Sequence, residues 1–193
     1  MTERRYILQR VADVLIVLAA APVVVPVCLA LMILIRRDSE GGALFVQQRI
    51  GRHQQPFRLF KLRTMAHDTG DHPSHHLTFA HVTRIGRFLR RTKLDELPQL
   101  WNILKGDMTF VGPRPCLPSQ REVIDLRAAR GLFDVLPGIT GPAQVRNIDM
   151  AHPSRMVGVE ADYFSGATAK SDLIIILRTV LGAGGGDAVG KSG

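Results

Sequence analysis

The feature that most constrains this chain is an apolar run near its amino terminus. Residues 11–35 carry a single charged side chain, Asp13. As a helix, this run would be about 38 Å long, whereas the hydrocarbon core of a bilayer is about 30 Å thick. The run therefore predicts a membrane segment.

Three arrangements of this segment are open. A cleaved signal peptide has an apolar region of only about 7–15 residues, shorter than this one. A straight span conflicts with Pro22 and Pro26, which each remove a backbone donor, and with the arginines that flank both ends. Because basic flanks tend to stay in the cytoplasm, we favour a re-entrant hairpin that breaks near Pro22 and returns to the same face.

The net charge and the cysteine content indicate which partners and which cellular compartment suit the chain. The net charge is +8 over 193 residues, which suits phosphorylated substrates, anionic lipid or nucleic acid without choosing among them. The two cysteines, Cys28 and Cys116, lack metal-ligand spacing and indicate reduced thiols in a cytosolic context.

The remaining chain predicts a small, mostly helical α/β domain. Strand patterns cover residues 44–52 and 56–65, and the second alternates apolar with basic side chains. Helical spacing runs over residues 83–104, with a new helix starting at Pro98. A capping box at residues 119–122 opens a helix that Gly131 ends, and Ser171 with Asp172 caps a last helix through Leu181 that can pack or contact a membrane.

Two segments imitate ligand sites. Five histidines lie in the polar residues 66–81, a pattern more typical of a loop than of a metal site: His67, His72, His75, His76 and His81. Residues 185–192 (GGDAVGKS) match the phosphate-loop pattern, but the printed sequence ends one residue later, with no helix to follow the loop. We expect neither to bind a ligand.

The chemistry is concentrated in residues 90–115 (RRTKLDELPQLWNILKGDMTFVGPRP). The adjacent acids Asp95 and Glu96 follow the cations Arg90, Arg91 and Lys93. Arginines near a carboxylate keep it ionised and attract phosphate. Two acids in succession point in different directions on a helix, so they suit different tasks around one substrate. Taken alone, the same residues also fit an ordinary charged helical turn.

The whole stretch resembles the signature of bacterial sugar transferases, the monotopic phosphoglycosyl transferases that prime glycan assembly. The resemblance covers nearly the full chain and matches the minimal catalytic core of the family. Its other motifs are PFRLFKLRTM at 56–65, PGITG at 137–141, AQV at 143–145, Asp162-Tyr163 and Ser171-Asp172-Leu173. Pro142 stands where relatives usually carry tryptophan, and residues 146–148 (RNI) replace an Asn-Gly-Arg run.

The resemblance implies a reaction in two steps. Asp95 attacks the β-phosphate of a UDP-sugar and releases UMP, and polyprenyl phosphate then takes the sugar phosphate from the aspartyl intermediate. Glu96 assists proton transfer or metal positioning. The family requires Mg²⁺, for which Asp95 is a candidate ligand. The candidate phosphate- and substrate-binding residues are Arg90, Arg114, Lys61, Arg63, Gln144 and Arg146, and Pro22 matches the family's membrane break.

The resemblance also implies a location and partners. We expect a hairpin at residues 1–37, a catalytic domain at 38–182 on the cytoplasmic face of the bacterial inner membrane, interfacial amphipathic helices and a flexible tail at 183–193. A UDP-sugar, polyprenyl phosphate and a homodimer partner are expected. Nucleic acid is not, because aromatic residues make up only 6% of the chain and give little for base stacking.

Three rival interpretations keep the question of function open. The donor is either an N-acetylated amino sugar or a hexose such as glucose or galactose. A basic, membrane-tethered binding protein would share the charge but leave the acid pair unexplained. A transferase relative that lost its activity would keep the motifs without the chemistry.

Overall fold

The computed structural model describes residues 3–66 and 82–184, with side chains from Arg5 onward. The histidine-rich stretch, from His67 to His81, and the phosphate-loop pattern at 185–192 lie outside the described residues. Helices dominate the described chain, with two small two-stranded sheets, as the sequence predicted. The predicted domain boundaries stay a prediction.

The amino-terminal segment is one helix, α1 (Glu3–Asp38), with Pro22 and Pro26 inside it. The interruption predicted at Pro22 is therefore wrong as a break in the helix. The two prolines are four residues apart, so the carbonyls that they leave without donors lie on one face of the helix. The regular helical turns on either side of the prolines keep α1 continuous. Whether the segment returns to the same face of a membrane stays a prediction.

A hairpin follows α1. Strands β1 (Leu44–Ile50) and β2 (Pro56–Leu62) pair antiparallel, which confirms both predicted strands. The buried side chain of Leu59 belongs to a core cluster with Val17 of α1, and Leu62 belongs to another with Leu31. Strand β2 thus joins the two clusters that hold the two halves of α1.

The segment with the acid pair folds as helix, short turn and helix. Helix α2 (Arg84–Thr92) starts after Thr83, whose hydroxyl accepts a hydrogen bond from the Gly86 amide at 2.9 Å. Lys93 ends α2 in the left-handed region, and a 3-10 helix (Leu94–Glu96) leads through Pro98 into α3 (Gln99–Lys105). The new helix predicted at Pro98 is confirmed.

The two glycine- and proline-rich stretches meet in a second sheet. Strand β3 (Thr109–Val111) pairs in parallel with β4 (Gly138–Thr140). Gly112 lies so close to the chain before β4 that a Cβ atom there would be 2.2 Å from the Leu136 carbonyl oxygen. This close approach holds the Pro113–Pro115 turn against the start of β4.

Three further helices complete the described chain: α4 (Arg121–Ala129), α5 (Pro153–Gly166) and α6 (Ala169–Val180). Short 3-10 helices lie at Arg52–Gln54, Leu132–Asp134 and Gln144–Arg146. The predicted capping box at residues 119–122 is wrong, because α4 begins one residue later than predicted, with Gln120 at the cap position and no side-chain bond that caps the helix. In α6 the cap is Thr168, and Ser171 is its reciprocal partner three residues later.

Candidate active site

The acid pair lies on the 3-10 helix between α2 and α3. Leu94, the residue before Asp95, packs against the core cluster that contains Leu62 and Leu89. The left-handed Lys93 (φ 58°) turns the chain at the end of α2 and so presents the pair toward β2. Asp95 is buried, with 8% of its surface exposed.

Glu96 is held by two cations. Its Oε1 atom lies 2.9 Å from Lys61 Nζ, on β2, and 3.6 Å from Arg114 Nη2, in the turn after β3. Burial acts to raise the pKa of Glu96, but Lys61 and Arg114 outweigh it and lower the pKa to about 2. Glu96 therefore stays ionised at neutral pH and organises the two cations.

Asp95 is in the opposite situation. Burial raises its pKa from 3.8 to about 6, although Lys61 lowers it, and the charge of Glu96 raises it further. No side chain within the described residues donates a hydrogen bond to the Asp95 carboxylate. At neutral pH this group is mostly ionised, yet it is more basic than an ordinary aspartate, which suits a nucleophile.

A shallow cleft of about 240 Å³ opens beside the acid pair. Its polar lining residues are Arg49, Lys61, Glu96, Gln99 and Arg114. Asp95 adjoins this cleft through the shared neighbour Lys61 and is not part of its lining. Three cations around one carboxylate make the cleft a site for an anionic group.

Arg114 is positioned from both sides. Its backbone carbonyl accepts a hydrogen bond from Arg127 Nη1 at 2.8 Å. In the amide orientation that satisfies its neighbours, Gln144 accepts from Arg114 Nη1 and donates to the Ile139 carbonyl, each at 3.2 Å. Gln144, predicted as a binding residue, therefore supports the arginine.

A buried ion pair, which the sequence analysis missed, anchors this arrangement. Arg127 of α4 binds Glu160 of α5 through two contacts of 2.9 and 2.7 Å, and both side chains are almost fully buried. The two residues are 33 positions apart on different helices, and nothing in the local sequence pattern indicates that they meet.

The remaining predicted residues lie elsewhere. Arg90 binds the Thr64 hydroxyl at 2.9 Å, and its charge acts on Asp95. Arg63 does not line the cleft, and its buried guanidinium binds the carbonyls of Ser39 and Glu40 in the loop after α1, so its role as a phosphate ligand stays a prediction. Arg146 is exposed and does not line the cleft.

The acid pair also bears on metal binding. The described part of the chain contains no group of three or more histidine, cysteine, aspartate or glutamate residues that could hold a metal ion. Mg²⁺ is commonly bound by only one or two carboxylates together with substrate phosphates. Asp95 and Glu96 provide hard oxygen ligands of this kind, so the residues present fit a magnesium ion shared with a phosphorylated substrate.

A basic carboxylate next to a cationic cleft defines a site for the transfer of an anionic group. Comparison with known proteins identifies the class further, because the family model described as Bacterial sugar transferase matches residues 4–184. The chain belongs to the bacterial sugar transferase family, which confirms the resemblance seen in its motifs.

Three relatives illustrate the similarity. The chain is 34% identical to a UDP-N-acetylgalactosamine-undecaprenyl-phosphate N-acetylgalactosaminephosphotransferase of Aeromonas hydrophila, over 90% of this chain and 43% of the relative. It is 38% identical to an undecaprenyl-phosphate glucose phosphotransferase of Komagataeibacter xylinus, over 88% and 34%. It is 37% identical to a UDP-glucose:undecaprenyl-phosphate glucose-1-phosphate transferase of Caulobacter vibrioides, over 89% and 68%. The chain thus spans less than half of the first two relatives.

Proposed function

We propose that this chain transfers a sugar-1-phosphate from a UDP-sugar to polyprenyl phosphate through a covalent intermediate on Asp95. The observation that carries the proposal is the acid pair, in which a basic, unpaired carboxylate lies beside an ionised one held by two cations. The printed names of the relatives support the acceptor, because each contains undecaprenyl phosphate.

In the first step, an oxygen of the Asp95 carboxylate attacks the β-phosphorus of the donor. The bond between that phosphorus and the bridging oxygen breaks, and UMP leaves with the bridging oxygen. In the second step, a phosphate oxygen of the lipid attacks the same phosphorus and displaces the Asp95 carboxylate. The enzyme is regenerated, and the product is a polyprenyl diphosphate sugar.

The cations of the site stabilise the charge that this transfer moves. Lys61 lines the cleft and its charge acts on Asp95, so it is placed to contact the phosphate under attack. Arg114 presents a planar guanidinium that suits two phosphate oxygens at once. Glu96, with its pKa lowered to about 2 by Lys61 and Arg114 against the effect of burial, suits metal or cation positioning better than proton transfer.

We include Mg²⁺ in the proposal, held by carboxylate oxygens of the acid pair together with the diphosphate of the donor. Bound there, the ion would neutralise diphosphate charge and so favour the departure of UMP. Binding of the donor, positioning of its phosphate and formation of the new bond remain tasks of Lys61, Arg114 and Asp95.

The lipid acceptor requires contact with a membrane. Helix α1 is the one described helix that is long and apolar enough to cross a bilayer, and only 11% of its most apolar stretch is buried. A core helix of a water-soluble domain would be mostly buried, so the exposed apolar surface supports membrane insertion.

The contacts of α1 support a re-entrant path. Near its start, Arg5 binds Asp172 at 3.3 Å and Gln9 binds Thr109 at 2.8 Å. Near its end, Ile35 is buried in the cluster around Leu62, whereas residues 18–30 contain no buried side chain. Because both ends pack on the same domain, they fit a path that enters and leaves the membrane on one side, with the bend that this path requires at the proline-containing turns. The basic flanks favour the cytoplasmic face of the inner membrane.

Two classes of donor sugar fit the proposal. The names of the relatives include glucose and N-acetylgalactosamine, so hexose and N-acetylated amino sugar donors both remain. The homodimer suggested by the resemblance stays a prediction.

The proposal is tested by measuring UMP. The full chain, in detergent or lipid nanodiscs with Mg²⁺ and polyprenyl phosphate, is incubated with a panel of UDP-sugars beside an Asp95→Asn variant. We expect UMP from the wild type with one donor and a rate at least about 1,000-fold lower from the variant, as for the loss of a nucleophile. Equal UMP from both proteins would exclude Asp95 as the nucleophile.

A further inference from the structure

Two buried amide side chains on α3 differ in their hydrogen bonding. Asn102 is completely buried, donates to the Arg58 carbonyl at 2.7 Å and to Asp107 at 3.2 Å, and accepts from the Phe60 amide at 3.1 Å. Gln99, one turn earlier, is 3% exposed, and its side chain makes no hydrogen bond with the described part of the chain. Asn102 therefore has a structural task that Gln99 does not share.

The amide of Gln99 opens onto the cleft. Gln99 is one of the cleft's lining residues. Among the described residues, the only sealed side-chain polar atom without a partner is Arg63 Nε, so the Gln99 amide is not sealed inside the protein. A buried amide without a partner lowers stability, which is why such groups in proteins usually have a ligand or water to bind.

The surroundings of Gln99 indicate which part of the donor it meets. The cleft is open to solvent, and its polar lining indicates the groups that it can bind. The cations Lys61 and Arg114 only donate hydrogen bonds and suit phosphate oxygens. An amide both donates and accepts, which matches a hydroxyl or amide group of a sugar.

We propose that Gln99 is a specificity-determining residue that hydrogen-bonds a polar substituent of the donor sugar. The inference rests on the proposed function, in which Asp95 attacks the phosphorus that carries the sugar. Gln99 lies three residues after Glu96, and both line the cleft, so a sugar attached to that phosphorus comes within reach of the amide.

The test compares Gln99→Leu with the matched variant Asn102→Leu, both in the full chain. Gln99→Leu should melt at the same temperature as wild type or higher, because the amide that it removes has no partner among the described residues. Asn102→Leu should melt at a lower temperature than wild type, because three hydrogen bonds are lost. Gln99→Met, which is close in length to glutamine, serves as a second variant.

Specificity is measured as kcat/KM for the preferred UDP-sugar and for a set of its deoxy analogues. Wild type should prefer the natural donor over one analogue by about 10- to 100-fold. Gln99→Leu should lose a similar factor with the natural donor, mainly in KM, and treat that analogue and the natural donor alike.

Two results would overturn the inference. One is a Gln99→Leu variant that keeps the full preference for the natural donor. The other is a variant that loses the same factor with every analogue, since this would place the contact on phosphate. If wild type releases no UMP, the proposed function fails, and the contact of Gln99 is then tested by the rise in melting temperature that the donor causes. An equal rise in wild type and Gln99→Leu contradicts the contact. A smaller rise in the variant supports it.

Discussion

At the residue scale, two adjacent carboxyl groups occupy one site with pKa values of about 6 and about 2. Burial acts on both, but Glu96 contacts Lys61 and Arg114 directly, whereas Asp95 has no such partner among the described residues and also experiences the charge of Glu96. The contrast divides the pair into one basic carboxylate and one permanently ionised carboxylate. This division is the physical basis for assigning the nucleophile to Asp95.

The raised pKa of Asp95 has a cost in stability. Because its pKa is higher in the folded than in the unfolded chain, the charged form disfavours folding above pH 6. The difference between 3.8 and about 6 corresponds to about 3 kcal/mol. Asp95→Asn should therefore be more stable than wild type at pH 7.5.

This advantage should shrink as the pH falls from 6 to 4, because wild-type Asp95 then becomes neutral as well. Thermal or denaturant unfolding at several pH values measures it. An Asp95→Asn variant that is less stable than wild type at pH 7.5 would contradict the assignment of Asp95 as a buried, unpaired carboxylate. Asp107→Asn, which removes a carboxylate from a partly exposed ion pair with Lys105, serves as a control for the loss of one negative charge.

At the element scale, the turn that carries Arg114 depends on α4 and α5. Arg127 links the Arg114 carbonyl to Glu160, and both side chains of the pair are buried. Removing one member leaves an uncompensated buried charge, which costs about 3–5 kcal/mol. Glu160→Gln should lower the melting temperature accordingly, and the loss should be seen in calorimetry.

A second variant separates the positioning of Arg114 from folding. Replacing both residues, by Arg127→Met with Glu160→Leu, removes both charges and should restore most of the stability. The Arg114 carbonyl then lacks its donor, so KM for the donor should stay raised by several fold while kcat changes less. A double variant with wild-type KM would show that the ion pair does not position Arg114.

The elements show how far the sequence predicts the structure. Local patterns predicted β1, β2 and the new helix at Pro98, because alternation and proline act within a few residues. The caps of α4 and α6 were misplaced, since α4 begins one residue later without a side-chain cap and α6 begins earlier, with Thr168 as its cap. The pairing of β3 with β4 joins residues far apart in sequence, and no local pattern indicates it.

For the active site, too, local sequence patterns predicted only part of the structure. The motif predicted an acid pair among cations, and the structure brings Lys61 and Arg114 to Glu96. The alternation around Arg63 indicates only that its side chain leaves the strand face, and no local pattern indicates that its partners lie in the loop after α1. Gln99 was within the motif, and its position three residues after Glu96 is the signal that could have identified it.

At the scale of the whole molecule, the proposed reaction requires an active site that a soluble substrate and a lipid substrate can both reach. Helix α1 leaves its central apolar residues exposed, and α6 exposes Leu173, Leu177 and Val180. Of the two roles suggested by the sequence, packing is confirmed, because Ile175 of α6 is buried in a cluster with Val111 and Val145. Membrane contact of the exposed face stays a prediction. These surfaces would hold the acid pair close to the lipid phosphate.

The central claim is that the phosphosugar is carried by Asp95 between the two substrates. The most direct measurement is the intact mass of the full chain after incubation with Mg²⁺ and the preferred UDP-sugar, without lipid acceptor, followed by peptide mapping. We predict a gain of one phosphosugar on the peptide that contains Asp95, together with UMP, and loss of this adduct when polyprenyl phosphate is added. UMP that forms only when the lipid is present, with no adduct at any time, would contradict the claim and indicate direct transfer between the substrates.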